Sequence, residues 1–81
     1  MLRIYADFNC QDEQGRVWLN TVGSLKDLTS LKMQGSELSV GMRVILYMTN
    51  ELEVEADLLF EKIWLGVPDW NTIHYLDNST T

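Results

Sequence analysis

The sequence predicts an all-β domain, a small barrel of five to six short antiparallel strands with at most one short helical turn. Three observations carry that prediction. Residues 51–60, ELEVEADLLF, alternate: Leu52, Val54, Ala56, Leu58 and Phe60 fall on one face, and Glu51, Glu53, Glu55 and Asp57 on the other. Successive strand side chains point to opposite faces, so this stretch is a strand with one dry and one wet side. Residues 2–8 and 16–21 repeat the pattern, and Gly15, Gly35, Gly41, Asn50 and Pro68 punctuate the apolar runs as turn residues do. Finally, a chain of 81 residues allows one small domain, and strands this short bury their apolar face by closing on themselves. The expected domain covers residues 1–76, followed by a polar, frayed tail over 77–81.

In chain order, residues 2–8 place Leu2, Ile4, Ala6 and Phe8 inward and Arg3, Tyr5 and Asp7 outward. Residues 9–15 are a polar loop. Residues 16–21 resume the alternation, with Val17 and Leu19 inward, and the two strands are expected to pair as a hairpin with a long acidic tip. Residues 22–37 admit two readings. One is a short helix with Ser24 as N-cap, Asp27 near the N3 position, and Leu25, Leu28 and Leu31 on one face. The other is an irregular crossover that tucks the same leucines against the sheet. Gly41 suits a turn position with positive φ, and residues 43–48 follow as a strand.

The next two connections can be argued from parity. A two-residue turn at Thr49-Asn50 would set Leu46 against Glu53 and mix dry with wet. A three-residue loop, Thr49-Asn50-Glu51, sets Met48 against Leu52, Leu46 against Val54, Val44 against Ala56 and Arg43 against Asp57. A one-residue slip flips every side chain, so the three-residue loop is predicted, with Asn50 able to take left-handed geometry. The second hairpin is predicted to turn at Glu61-Lys62, or through a longer loop of the same parity. That sets Phe60 against Ile63, Leu58 against Leu65 and Ala56 against Val67, and leaves Leu59 facing Trp64 on the outer side. Pro68 ends that strand, Asp69 seeds a tight 3₁₀ turn, and residues 72–76 form a last short strand.

Charge limits the partners. Twelve acids against six bases leave a net charge of -6, which repels phosphate backbones and anionic membrane surfaces. Neither nucleic acid nor membrane is therefore expected as a partner. No apolar run approaches the roughly 18 residues that a spanning helix needs, and the N-terminal residues do not read as a signal peptide. Cys10 is the single cysteine, so no internal disulfide forms, which fits a reducing, cytoplasmic location. Asn78-Ser79-Thr80 matches a glycosylation sequon, which carries meaning only in a secreted chain.

Several pieces follow the order of a known plan. Tyr5-Ala6-Asp7-Phe8, then Leu38 with Gly41 and Val44, then Gly66-Val67-Pro68 with Trp70, are spread over most of the chain, which resembles the SH3-like small barrels. The resemblance implies that fold and, in SH3 domains, a groove for proline-containing peptides. The chain departs from SH3 domains in its aromatics. Trp64 stands just before the proline segment rather than at the start of a middle strand, and Trp70 occupies the place of a tyrosine. The phrases GRVWLNTVGSLKDL, GMRVILY, ELEVEADLLFE and PDWNTIHYL are also similar to those of short bacterial proteins for which no activity is implied.

Four kinds of site follow from the residues. Ile45, Tyr47, Leu59 and Trp64 are expected to form an apolar patch on the outer sheet face, ringed by Glu53, Glu55 and Asp57; such a surface suits a protein partner or self-association. The alternative is that residues 22–37 cover it as a second layer. Tyr5, Trp18, Trp70 and Tyr75 would form an aromatic groove beside Asp12 and Glu13, suited to a basic, proline-containing peptide, unless they simply cover strand ends. Cys10 and His74 are the one nucleophile and base of their type, and an enzyme using them is the weaker alternative; no motif supports the pair, and no catalytic residue is assigned. Acids along one strand face sit about 7 Å apart at every second residue, too far to chelate an ion from one segment, so neither metal nor cofactor is expected.

Overall fold

The computed structural model describes residues 1–76. In chain order the elements are β1 (Arg3–Tyr5), β2 (Val17–Trp18), α1 (Val22–Met33), β3 (Arg43–Met48), β4 (Leu52–Glu61), β5 (Ile63–Pro68), a 3₁₀ turn (Trp70–Thr72) and β6 (His74–Tyr75). Strands dominate, as the alternation requires, and they form one curled sheet in the order β1-β3-β4-β5-β2, with β6 on β4. The expected tail at 77–81, with its sequon, lies outside the described residues.

The long strand β4 is the spine. Its pairing with β3 follows the predicted register: Met48 with Leu52, Leu46 with Val54, Val44 with Ala56 and Arg43 with Asp57. Asn50 takes the left-handed conformation at φ 63°. The other edge of β4 is used in succession. β5 pairs with residues 56–61, and β6 pairs with Leu52 and Glu53. The 3₁₀ turn bridges the gap: Asp69 donates its N–H to the Glu55 carbonyl, and Thr72 Oγ1 accepts from the Glu55 N–H. Asp69 also caps that turn by accepting from the Asn71 N–H, as its sequence position suggests.

The inward residues form a single core of Ile4, Ala6, Val17, Leu19, Val44, Leu46, Val54, Ala56 and Leu58. Leu2, Phe8, Leu28, Leu31, Leu38, Met42, Leu52, Trp64 and Ile73 close around it. The curl is visible at Gly66. In a flat sheet β3 and β5 lie about 9.5 Å apart across β4. Here a Cβ built on Gly66 would come within 2.6 Å of Leu46 Cδ1, so the two strands flanking β4 lean together over the inner face.

Three expectations are corrected. First, the sheet is mixed, because β1 pairs with β3 in parallel and does not form a hairpin with β2. The chain already reverses inside the polar loop. Gln11 bridges Val17, and Asp12 Oδ1 accepts from the N–H groups of Gln14 and Arg16, tightening the turn. β2 is thereby delivered to β5, with Val17 opposite Gly66 and Trp18 opposite Leu65. Second, residues 22–33 are a full 12-residue helix, and its N-cap is Thr21, whose side chain accepts from the Ser24 N–H. Ser24 lies inside the first turn, where its hydroxyl donates to the Tyr5 carbonyl. Third, the β4–β5 register is shifted by one. Phe60 faces Trp64, Leu59 faces Leu65 and Leu58 faces Gly66. The reason is Lys62, which adopts φ 68° and makes Glu61-Lys62-Ile63 the counterpart of Thr49-Asn50-Glu51. An odd-numbered loop reverses the parity that a two-residue turn would impose.

Candidate interaction surface

The helix is docked on the open edge of β1. An edge strand presents unpaired N–H and C=O groups, which proteins cover or blunt. Here Asp27 Oδ2 accepts from the Tyr5 N–H at 2.8 Å, while Ser24 takes the Tyr5 carbonyl. The same Asp27 oxygen accepts from the Tyr47 hydroxyl at 2.6 Å. That hydrogen bond and partial desolvation push the Tyr47 phenol above its ordinary range. Close approach of helix to strand is possible because Gly23 has no side chain; a Cβ there would sit 2.6 Å from the Tyr5 ring.

Docked this way, α1 splits its surface. Leu28 and Leu31 reach the core. Leu25, Leu28, Thr29 and Lys32 recur at i, i+3, i+4 and i+7, which is one helix face. With Ser36, Glu37, Leu38 and Trp64 they line an open cleft of about 570 Å³. Trp64 reaches it because the register shift places it on the inner side, against the core and in edge-to-face contact with Phe60 at 5.0 Å between ring centroids. Leu25, which lines the cleft, is 51% exposed, and Phe60, packed against Trp64, is 52% exposed. Lys32, in the last helical turn where a cation is favoured, and Glu37 supply its charges.

The patch expected from Ile45, Tyr47, Leu59 and Trp64 is therefore divided. Ile45, Tyr47 and Leu59 share the outer face, opposite Glu55, Glu53 and Leu65. Trp64 is on the inner one. Tyr47 is already engaged within the chain. Its hydroxyl is bound by Asp27, its ring meets Tyr5 edge-on at 5.8 Å, and Arg3 lies 4.9 Å above it. Arg3 continues to Glu53 at 2.6 Å, and Arg43 reaches Asp57 and Asp69 at 3.2 Å each. Leu65 is 3% exposed between Leu59 and Trp18, the partner residues on its two flanking strands. The outer face thus carries a lattice of ion pairs, with Leu65 buried, Ile45, Tyr47 and Leu59 half-buried, and Trp18 and Val67 exposed.

The groove expected from Tyr5, Trp18, Trp70 and Tyr75 is not drawn together by ring contacts. Tyr5 pairs with Tyr47 beneath the helix, Trp70 pairs with Phe8 at 5.8 Å, Trp18 lies on β2, and Tyr75 is exposed on β6 opposite Leu52. Beside this region, Asp12 is partly desolvated, but hydrogen bonds from Arg16 and the Gln14 N–H outweigh that and hold its carboxyl below the usual range. Arg16 also reaches Glu61 at 2.8 Å and ties the loop to β4. Cys10 and His74 belong to separate elements: the Cys10 carbonyl accepts from the Trp18 N–H, whereas His74 faces Glu53. Desolvation and the nearby Asp7 raise the Cys10 thiol, which lowers its thiolate fraction at neutral pH. Among the described residues no group of three or more His, Cys, Asp or Glu is arranged to hold a metal ion, and no helix is long and apolar enough to cross a membrane.

The sequence reading missed the cleft. Its signal was the helical spacing of Leu25, Leu28 and Lys32, which could be used only once residues 22–33 were known to be helical. Comparison with protein-family models, curated proteins and solved structures returns no match to this chain.

Proposed function

We propose that this protein is a non-enzymatic interaction module that docks a protein partner through the cleft between α1, residues 36–38 and Trp64. The single observation that carries the reading is the cleft itself: Leu25, Leu28, Leu38 and Trp64 make its lining largely apolar, and Leu25 is half exposed at its rim. Open apolar clefts with a few polar groups at the margin are the usual form of a binding site, and exposed aromatic and aliphatic anchors supply most of an interface's energy. The charge of -6 and the lone cysteine support a cytoplasmic setting and argue against nucleic acid or a membrane as the partner.

The curled sheet is compatible with an SH3-like relative. On that reading Trp18 and Trp70 would receive a basic, proline-containing peptide, but Tyr5 lies under the helix, so the apolar cleft is the better supported surface. The test is site-specific photo-crosslinking in cells, with the reactive side chain at position 25 and, as a control, at Val67 on the outer face. A light-dependent adduct from position 25 and none from Val67 is expected. No adduct from position 25, or equal yields from both, overturns the proposal.

A further inference from the structure

We propose that the occupant of the cleft is a second copy of this chain, related by a two-fold axis, so that Lys32 of each copy meets Glu37 of the other. Leu25 and Phe60 of each copy enter the other's cleft. The inference rests on the preceding reading of the cleft as a docking surface and adds the partner.

Four observations lead to it. A two-fold contact uses the same patch twice, so residue i must suit residue j and the reverse. Lys32 and Glu37 line the same cleft with opposite signs, and among the described residues neither takes part in an ion pair, whereas Arg3, Arg16 and Arg43 all do. A patch carrying one charge of each sign can be its own complement; a patch of one sign cannot.

The second observation concerns the opposite face. Glu53, Glu55 and Asp57 project there and outnumber Arg3 and Arg43, which are already paired with them within the chain, so outer face against outer face would bring a net excess of like charge together. The inner cleft escapes that repulsion and leaves the two acidic faces pointing apart. Third, the sheet edges at β1 and β2 are blunted against strand addition. Ser24 and Asp27 hold the free groups of Tyr5, and β2 is two residues long and backed by Cys10 and Gln11. Strand addition at those two edges is disfavoured, which favours a contact made by side chains. Fourth, Leu25 and Phe60 stand half exposed around Trp64, which gives each copy apolar groups to insert as well as a cleft to receive them.

The experiment uses the purified full chain in sedimentation and native mass spectrometry, from micromolar to millimolar concentration. The wild type is expected to dimerise. Lys32→Glu and Glu37→Lys alone each place like charges across the axis and weaken the dimer by about tenfold or more. Mixing these two single variants restores association, now as the mixed dimer, and the double reversal Lys32→Glu/Glu37→Lys associates as the wild type does. Both side chains are exposed, so the substitutions leave the fold intact, which circular dichroism checks. A wild type that stays monomeric at millimolar concentration overturns the proposal, as does a dimer indifferent to both single reversals. Failure of the partner and failure of the cleft are distinguishable. A crosslinked adduct from position 25 containing a different protein keeps the cleft as a docking surface and overturns the second copy; no adduct at all overturns both.

Discussion

Asp27 is a single carboxylate with two obligations: it accepts from the Tyr5 N–H and from the Tyr47 hydroxyl. The first joins helix to strand and the second joins helix to the outer sheet face. Replacing it by alanine leaves both donors short of a partner, and an unsatisfied donor costs about 1–3 kcal/mol according to its burial. Asp27→Ala is expected to lower stability by about 2 kcal/mol in urea titration, and Tyr47→Phe by about 1 kcal/mol, since it leaves the Tyr5 bond in place. The pH dependence has a definite sign. The phenol is raised in the folded state, chiefly by its hydrogen bond to Asp27, so its contribution is whole below the unfolded tyrosine value of about 10 and is lost as pH rises through the folded value. The alkaline decline of wild-type stability should therefore be shallower in Tyr47→Phe; an identical slope would show that this hydroxyl does not titrate with folding.

At the scale of elements, two hairpins use the same loop with different chemistry. Asn50 and Lys62 both sit in the left-handed region, at φ 63° and 68°. Asparagine tolerates that conformation; a lysine held there is disfavoured by about 1 kcal/mol relative to glycine. Lys62→Gly is expected to raise stability by roughly 0.5–1 kcal/mol, seen as a higher midpoint in thermal denaturation, because the strain relieved exceeds the entropy glycine adds to the unfolded chain. This position also explains what could be read in the sequence. The β3–β4 register was legible because each alternative put a glutamate on the dry face. The β4–β5 register was not, because Leu58, Leu59, Phe60, Ile63, Trp64 and Leu65 are apolar at both parities and the deciding residue is a lysine, which carries no turn signal. That ambiguity of parity is why the alternation alone puts Trp64 on the outer face, whereas the structure pairs it with Phe60 on the inner one. The helix was half legible: its leucines were seen, but Thr21 as the cap competed with Ser24, three residues later, and each has the chemistry to serve.

At the scale of the whole molecule, the curl depends on one missing side chain. Leu46 is fully buried and leans over Gly66, with no room for a Cβ between β3 and β5. Gly66→Ala is expected to cost about 1–3 kcal/mol, the usual range for overpacking, measured by urea unfolding; Gly66→Ala combined with Leu46→Val should recover part of it by vacating space. Loss of the same magnitude in both variants would mean that the strands do not lean together at this point. The curl also matters for the cleft, since it brings Trp64 under the helix.

The parallel pairing of β1 with β3 has a consequence for synthesis. Arg3 joins Ile45, and nothing nearer in the chain completes that edge. During translation the first strand emerges early and waits, unpaired, until some forty further residues have left the ribosome. The order of manufacture is thus the reverse of the order of need, and the nascent chain has to keep β1 from other edges over that interval, as it must keep β2 until β5 emerges.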